Sequence, residues 1–370
     1  MTIYDVAQRA KVSPSVVSFV LNGSRPVGDA TRQRVRAAID ALGYTPNAAA
    51  RGLRLRRTGL VACLVPYLNN PLYSLHAAGA EQELAAAGFL TIVSSTRGVP
   101  RAPGPTGAAV SGNGHRPGDG GVSAGADSPS GAVLQALSGS RVDGVLLFPY
   151  EDDAPQVARL AESGVPVVYI DREPRHASLP TDAAVDAVVV DNESGVFRAT
   201  EHLLALGHRR IGLVSLRPES LSGPPRLAGY RRAFQERGLE VPEECLALGR
   251  GGPEDGEALT TQLLALRPAI TALVVAVTNC TAAALRTLHR SGVRLPDDLS
   301  VVGYAHEGIL GWPGLDLAAV RYPGVELGRE AAKLLLTRLR AAPGEPRVRQ
   351  RVVLQPELRV GSSTRRVGES

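Results

Sequence analysis

From Thr58 onward the chain alternates short apolar runs with longer amphipathic stretches, and this alternation limits the fold more than any single motif does. Runs such as LVACLVP, VDGVLLFP, VPVVYID, RIGLVSL and LSVVGY are rich in Val and Ile. They are too short for buried helices and nearly continuous in apolar character, as strands covered on both faces are. Between them lie AAGAEQELAAAG, GVFRATEHLLALG and TAAALRTLHRSG, with apolar residues at helical spacing. Strand, helix and strand in that order predict parallel sheets with helices on both faces. Roughly nine strands exceed one comfortable open sheet, so two α/β subdomains are expected. Ligands of such sheets sit beyond the carboxyl ends of the strands, which makes the cleft between the subdomains the default site.

Two segments depart from that grammar. Gly98 to Gly131 is nearly all Gly, Pro, Ser and Ala, has no apolar periodicity, and is expected to be a disordered insertion. The first 58 residues read instead as short helices. Ile3, Val6, Ala7 and Ala10 recur at helical spacing behind Thr2, a suitable N-cap. Ser13 then caps a second helix with Pro14 at its first position, where a missing N–H costs nothing. Asp29 or Thr31 opens a third, with Val35, Ala38, Ile39 and Leu42 as its apolar face and Gly43 as its stop. Two helices joined by a tight turn with a third packed behind describe a helix-turn-helix.

Charge supports that reading. Residues 1–58 hold ten basic side chains against Asp5, Asp29 and Asp40, whereas the whole chain is only +5. A basic head on a slightly acidic body is the footprint of a nucleic-acid-binding module. At 370 residues two or three domains are expected. No apolar window reaches the ~18 residues of a membrane span, and MTIYDVAQRAKVS is no signal peptide, so no membrane partner and a cytoplasmic location are expected. Cys63, Cys245 and Cys280 lack metal-ligand spacing and read as buried free thiols. No metal or other cofactor is expected.

TIYDVAQRAKVSPSVVSFVLNG followed by TRQRVRAAIDALGYTPNAAARGLR resembles the head of the LacI/GalR family of bacterial transcription repressors. LVACLVPYLNNPLY, RVDGVLLFP, VVYIDRE, VVDNESGVFRATEHLLALGHRRIGLVSL, RLAGYRRAF, LSVVGY and LQPELRVGSSTRR carry the likeness through the body in the same order. The resemblance implies a small all-α helix-turn-helix head on an α/β, periplasmic-binding-protein-like body of two doubly wound parallel-sheet subdomains. The expected division is a head over 1–45, a hinge over 46–58, a first subdomain over 59–173 plus 307–342, and a second over 174–306 plus 343–366. It further implies a repressor that binds a near-palindromic double-stranded DNA operator as a homodimer or tetramer. A small effector, a sugar or sugar derivative, would control that binding.

The resemblance assigns roles by position. Pro14, Ser15 and Phe19 fall where the recognition helix touches base edges. Ser15 can donate or accept there, and Phe19 can pack on a thymine methyl. Ser18, Asn22 and Tyr4 fall at phosphate-binding positions. Leu53 matches the hinge leucine that wedges between base steps, flanked by Asn47, Ala50 and Arg54. Arg226, Asp171, Tyr73, Ser222, Asn192 and Asn279 match positions around the effector. Ala305 stands where sugar-responsive members carry an Asp, so a plain hexose is a poor fit; either His306 or Glu307 takes that part, or the effector is of another kind.

Two other classes are disfavoured. A transported-solute receptor shares such a body but needs an export signal and no basic head. An enzyme is not supported by any GxGxxG, P-loop or HExxH motif.

Overall fold

The computed structural model describes residues 1–22, 25–44, 57–68, 70–96, 133–134, 137, 142–149, 154–174, 185–306, 314, 316–342 and 348–368. The chain divides into two compact units, Met1–Gly59 and Leu60–Ser370. The Gly98–Gly131 insertion and most of the hinge lie outside the described residues.

The first unit is three helices, α1 (Ile3–Ala10), α2 (Pro14–Asn22) and α3 (Asp29–Leu42). Thr2 and Asp5 form a reciprocal capping box at the start of α1. Lys11 ends that helix in the left-handed region at φ 53°. Gly43 ends α3 in the same region at φ 56°, where the absence of a Cβ removes the penalty. Val6, Ala7, Ala10, Val17, Val35 and Ala38 are buried together as its core.

The second unit holds two six-stranded sheets. In chain order, the first half runs β1 (Leu60–Val65), α4 (Pro71–Ala86), β2 (Leu90–Ser95), β3 (Gly144–Leu147), α5 (Ala154–Glu162), β4 (Val167–Asp171) and β5 (Asp186–Val190). The second runs α6 (Asn192–Ala205), β6 (Ile211–Leu216), α7 (Gly223–Gln235), β7 (Leu246–Gly249), α8 (Pro253–Leu264), β8 (Ala272–Val275), α9 (Thr278–Arg290), β9 (Ser300–Ala305) and β10 (Ala318–Arg321). The chain ends in α10 (Gly324–Arg340), β11 (Arg351–Leu354) and β12 (Glu357–Arg359). Sheet order is β11-β5-β4-β3-β1-β2 in one and β12-β10-β9-β8-β6-β7 in the other. Among the described residues every pairing is parallel except β12 against β10.

These memberships differ from the expected division. The second subdomain was expected from residue 174, yet β5 pairs in the first sheet beside β4. The first subdomain was expected to regain the chain at 307, yet β10 stays in the second sheet beside β9. β11, expected in the second, pairs with β5 of the first. The chain therefore changes sheets after β5, after β10 and after β11.

α4 and α10 cross so closely that only glycine fits at their contact. A Cβ on Gly79 would lie 2.0 Å from the carbonyl oxygen of Val325, and one on Gly328 would lie 1.9 Å from that of His76. Arg338 of α10 reaches the wholly buried Asp186 of β5 through Nε at 2.7 Å and Nη2 at 2.5 Å, and the Gln350 N–H also donates to that carboxylate. A buried carboxylate requires such pairing. One core cluster then draws side chains from both sheets, among them Val61, Ile170, Leu213 and Tyr304.

Candidate functional site

In the head, α2 presents the face that the sequence singles out. The Ser13 hydroxyl accepts from the Val16 N–H at 3.4 Å, and Pro14 opens the helix. Val17 is fully buried, and Val20 and Leu21 pack on the same core. Ser15 is exposed, while Pro14, Ser18 and Phe19 are half-buried. Their four-residue spacing puts Ser15 and Phe19 on one face, one turn apart. Tyr4 stands on α1 with 70% of its surface exposed. Asn47, Ala50, Leu53, Arg54 and the side chain of Asn22 lie outside the described residues.

The second unit gathers polar side chains at the carboxyl ends of its strands. Asp171 is the last residue of β4, Asn192 follows β5 by two positions, and Tyr304 is next to last in β9. Tyr322 follows β10 directly. Tyr73 and His76 lie on α4 after β1, and Arg226 lies in the first turns of α7 after β6. Each of these side chains is buried.

Contacts join them into one set. The Arg226 Nε donates to the Asn192 Oδ1 at 2.8 Å, and its guanidinium lies 5.4 Å from the centre of the Tyr304 ring. Asn192 is held in turn by donating to the Val190 carbonyl. Arg172 pairs with the Asp171 Oδ2 at 2.7 Å. Asp171 takes φ 75°, a region that costs a non-glycine residue energy and that gathers at functional sites. Tyr73 packs edge-on against Phe148 at 4.8 Å, and His76 meets Phe148 at 4.8 Å and Tyr322 at 6.0 Å.

Burial governs the electrostatics. It pushes the His76 imidazole from its ordinary 6.5 down to about 4, against the opposing pull of Asp171, so the ring is neutral at physiological pH. His76 Nδ1 lies 2.6 Å from the Leu72 carbonyl and must therefore carry the proton, which leaves Nε2 an acceptor. Burial also lowers the basicity of Arg226 and raises the pKa of Tyr73 and Tyr304. Among the described residues, His76 Nε2, Asp171 Oδ1 and the hydroxyls of Tyr304 and Tyr322 are buried without hydrogen-bond partners. Unpaired polar atoms are costly inside a protein, so four in one contact set suit a polar ligand.

Of the residues singled out from the sequence, Tyr73, Asp171, Asn192 and Arg226 belong to this set. Ser222 is buried immediately before α7 and leaves the helix start uncapped by its side chain. Asn279 and His306 are half-buried just past β8 and β9, at the same ends of the second sheet. Ala305 is wholly buried at the end of β9. His76, Arg172, Tyr304 and Tyr322 were not singled out. The position of Tyr322 just after an apolar run was the available signal, and His76 sat inside an otherwise apolar helix face. A hollow of about 390 Å³ lies elsewhere, between β2 and the segment around Val133, and its apolar lining offers no comparable donors.

A helix-turn-helix head and a two-sheet α/β body with polar groups at the strand ends are the architecture of a DNA-binding regulator. Residues 2–47 match the profile of bacterial regulatory proteins of the lacI family, and residues 200–364 match that of the periplasmic binding protein-like domain. The HTH-type transcriptional regulator CelR of Thermobifida fusca is 34% identical, over 98% of each chain. DegA of Bacillus subtilis, also an HTH-type transcriptional regulator, is 28% identical over 98% of each. Among solved structures, a CelR–cellobiose complex aligns with TM-score 0.66 at 32% identity, covering 98% of this chain and 99% of that one. The lac repressor dimer bound to operator and an anti-inducer shares the fold, with TM-score 0.77, 24% identity and 99% coverage of both. The chain belongs to the lacI family and is a DNA-binding transcriptional regulator. Among the described residues no helix is long and apolar enough to cross a membrane.

Proposed function

We propose that the protein is a repressor whose operator affinity is set by a small polar effector held in the cleft between the two sheets. The observation that carries this is the set of buried, unpartnered polar atoms on Asp171, His76, Tyr304 and Tyr322, which come from elements of both sheets and the helix after β1. A ligand bridging such elements favours one relative placement of the two lobes, and only that differential affinity can move DNA binding. The operator is near-palindromic and the active form a homodimer, because a single head reads only a half-site. Pro14, Ser15 and Phe19 meet base edges. Tyr4, Ser18 and Asn22 meet phosphates, and Leu53 with Asn47, Ala50 and Arg54 meets the minor groove.

The cellobiose complex of CelR makes oligosaccharides the first compounds to test. Ala305 offers no carboxylate to a sugar diol, so Asp171 and Asn192 take that part with Ser222, Asn279 and His306 at the rim. In a thermal-shift screen of the full chain against mono- and disaccharides, a true effector raises Tm and changes operator affinity. Arg226→Gln should abolish both responses while leaving operator binding in the absence of ligand intact. A compound that moves operator affinity equally in wild type and Arg226→Gln would remove the cleft from this role.

A further inference from the structure

One turn in the head carries a residue ill-suited to its backbone. α1 and α3 end in the same pattern of returning hydrogen bonds. At α3 the Gly43 N–H donates to the Asp40 carbonyl at 3.3 Å and the Tyr44 N–H to that of Ile39 at 3.0 Å. At α1 the Lys11 N–H donates to the Gln8 carbonyl at 3.2 Å and the Val12 N–H to that of Ala7 at 3.0 Å. Both closing residues stand in the left-handed region, Gly43 at φ 56° and Lys11 at φ 53°. Glycine takes that region without penalty, whereas the Cβ of a lysine is strained there.

Little inside the head offsets that strain. Lys11 is exposed. Asp5 closes the capping box of α1, Asp29 pairs with Arg32, and among the described residues no carboxylate pairs with the Lys11 ammonium. Its one local benefit is a cation beside the last carbonyls of α1. A strained residue that persists without an internal partner points to a contact made elsewhere. Lys11 lies in the turn between α1 and α2, two residues before the Ser13 that caps α2 and four before the exposed Ser15. A helix lying in the major groove is flanked by two phosphate backbones, so the turn that leads into it passes beside one of them. Lysine is a compact charge with three rotatable donors on a flexible stem, which suits a phosphate approached from any direction. It is not this chain's default cation, since Lys11 and Lys333 are the only lysines among 41 basic residues.

We propose that Lys11 is a backbone clamp, whose ammonium binds an operator phosphate where the chain enters α2. The left-handed turn is strained in the free protein, and the contact that compensates it forms only on DNA. The proposal rests on α2 being the element that enters the major groove. It adds the turn itself to the phosphate contacts of Tyr4, Ser18 and Asn22, and it supplies affinity without base preference.

Selection of binding sites from a random-sequence DNA pool, followed by fluorescence anisotropy on the selected duplex from about 50 to 200 mM salt, tests it. The full chain is used as wild type, Lys11→Gly, Lys11→Gln, Lys11→Arg and Ser15→Ala. Lys11→Gly and Lys11→Gln should bind more weakly, with the slope of log affinity against log salt reduced by about one. Their deficit against wild type should therefore shrink about 3.5-fold across that salt range. Both should select the wild-type sequence, since a phosphate carries no base identity. Lys11→Arg should keep the wild-type slope. Lys11→Gly relieves the turn and should melt at or above the wild-type temperature, which separates weaker binding from a damaged head. Wild-type affinity and slope in both Lys11→Gly and Lys11→Gln overturn the proposal, as does an altered base preference in either. A lower Tm in Lys11→Gln with unchanged DNA binding assigns the lysine to the carboxyl end of α1 instead. If Ser15→Ala changes base preference while the Lys11 variants bind as wild type, only the role of Lys11 falls. If Ser15→Ala is also indistinguishable from wild type, the placement of α2 in the groove falls with it.

Discussion

Acidification should strip stability from the body through one histidine. His76 is wholly buried among Tyr73, Phe148 and Tyr322, and its pKa stands near 4 instead of the ordinary 6.5. The unfolded chain therefore takes up a proton at this ring between those two values while the folded chain does not. Stability is fully present above pH 6.5, falls as pH drops through that window, and levels off below pH 4. A tenfold difference in proton affinity between folded and unfolded chain corresponds to about 1.4 kcal/mol. The loss therefore approaches about 3.5 kcal/mol in full and about 2.5 kcal/mol by pH 4.5. Urea denaturation followed by circular dichroism at pH 7 and pH 4.5 measures it, with His76→Gln as the comparison. Many carboxylates titrate in the same range, and His202 and His208 are also depressed by burial. Subtracting the variant's loss from that of the wild type removes those shared contributions. Wild type should lose about 2 to 3 kcal/mol more than His76→Gln. Equal losses in the two proteins would mean that the ring is not held neutral in the aromatic wall, and would withdraw Nε2 from the polar set offered to the effector.

The packing and the thiols give two further outcomes. Gly328→Ala places a methyl 1.9 Å from the His76 carbonyl oxygen, and since backbone must move to admit it, a loss of at least about 2 kcal/mol is expected. An unchanged Tm would show that α4 and α10 are not in such close contact. Cys63, Cys245 and Cys280 are buried and free, and burial lifts the thiols of Cys63 and Cys280 to about 12. A disulfide reagent at pH 8 should leave all three unmodified in the native protein and label them in urea; rapid native labelling would contradict their burial.

Much of the architecture was legible because it rests on local periodicity. Val6, Ala7 and Ala10 behind Thr2, and Val35 and Ala38 before Gly43, announced helices by spacing and caps alone. Runs such as VVYID and SVVGY announced buried parallel strands for the same reason. What periodicity does not encode is which sheet a strand joins. β5, β10 and β11 look alike as apolar runs, and only long-range pairing sends the second to one sheet and the others to its neighbour. The site divides along the same line. Arg226, Asp171 and Asn192 could be named because they sit in recognisable stretches, whereas Tyr322 and His76 become site residues only when α4 and β10 meet.

Sequence-specific DNA binding by the intact chain is the property on which every other role depends. Fluorescence anisotropy with a labelled duplex carrying the selected palindrome, against a scrambled duplex of equal length, measures it directly across a range of salt concentrations. Affinity for the palindrome should be at least about a thousandfold tighter and should fall steeply as salt rises. Equal affinity for the two duplexes at every salt concentration would contradict a sequence-reading head.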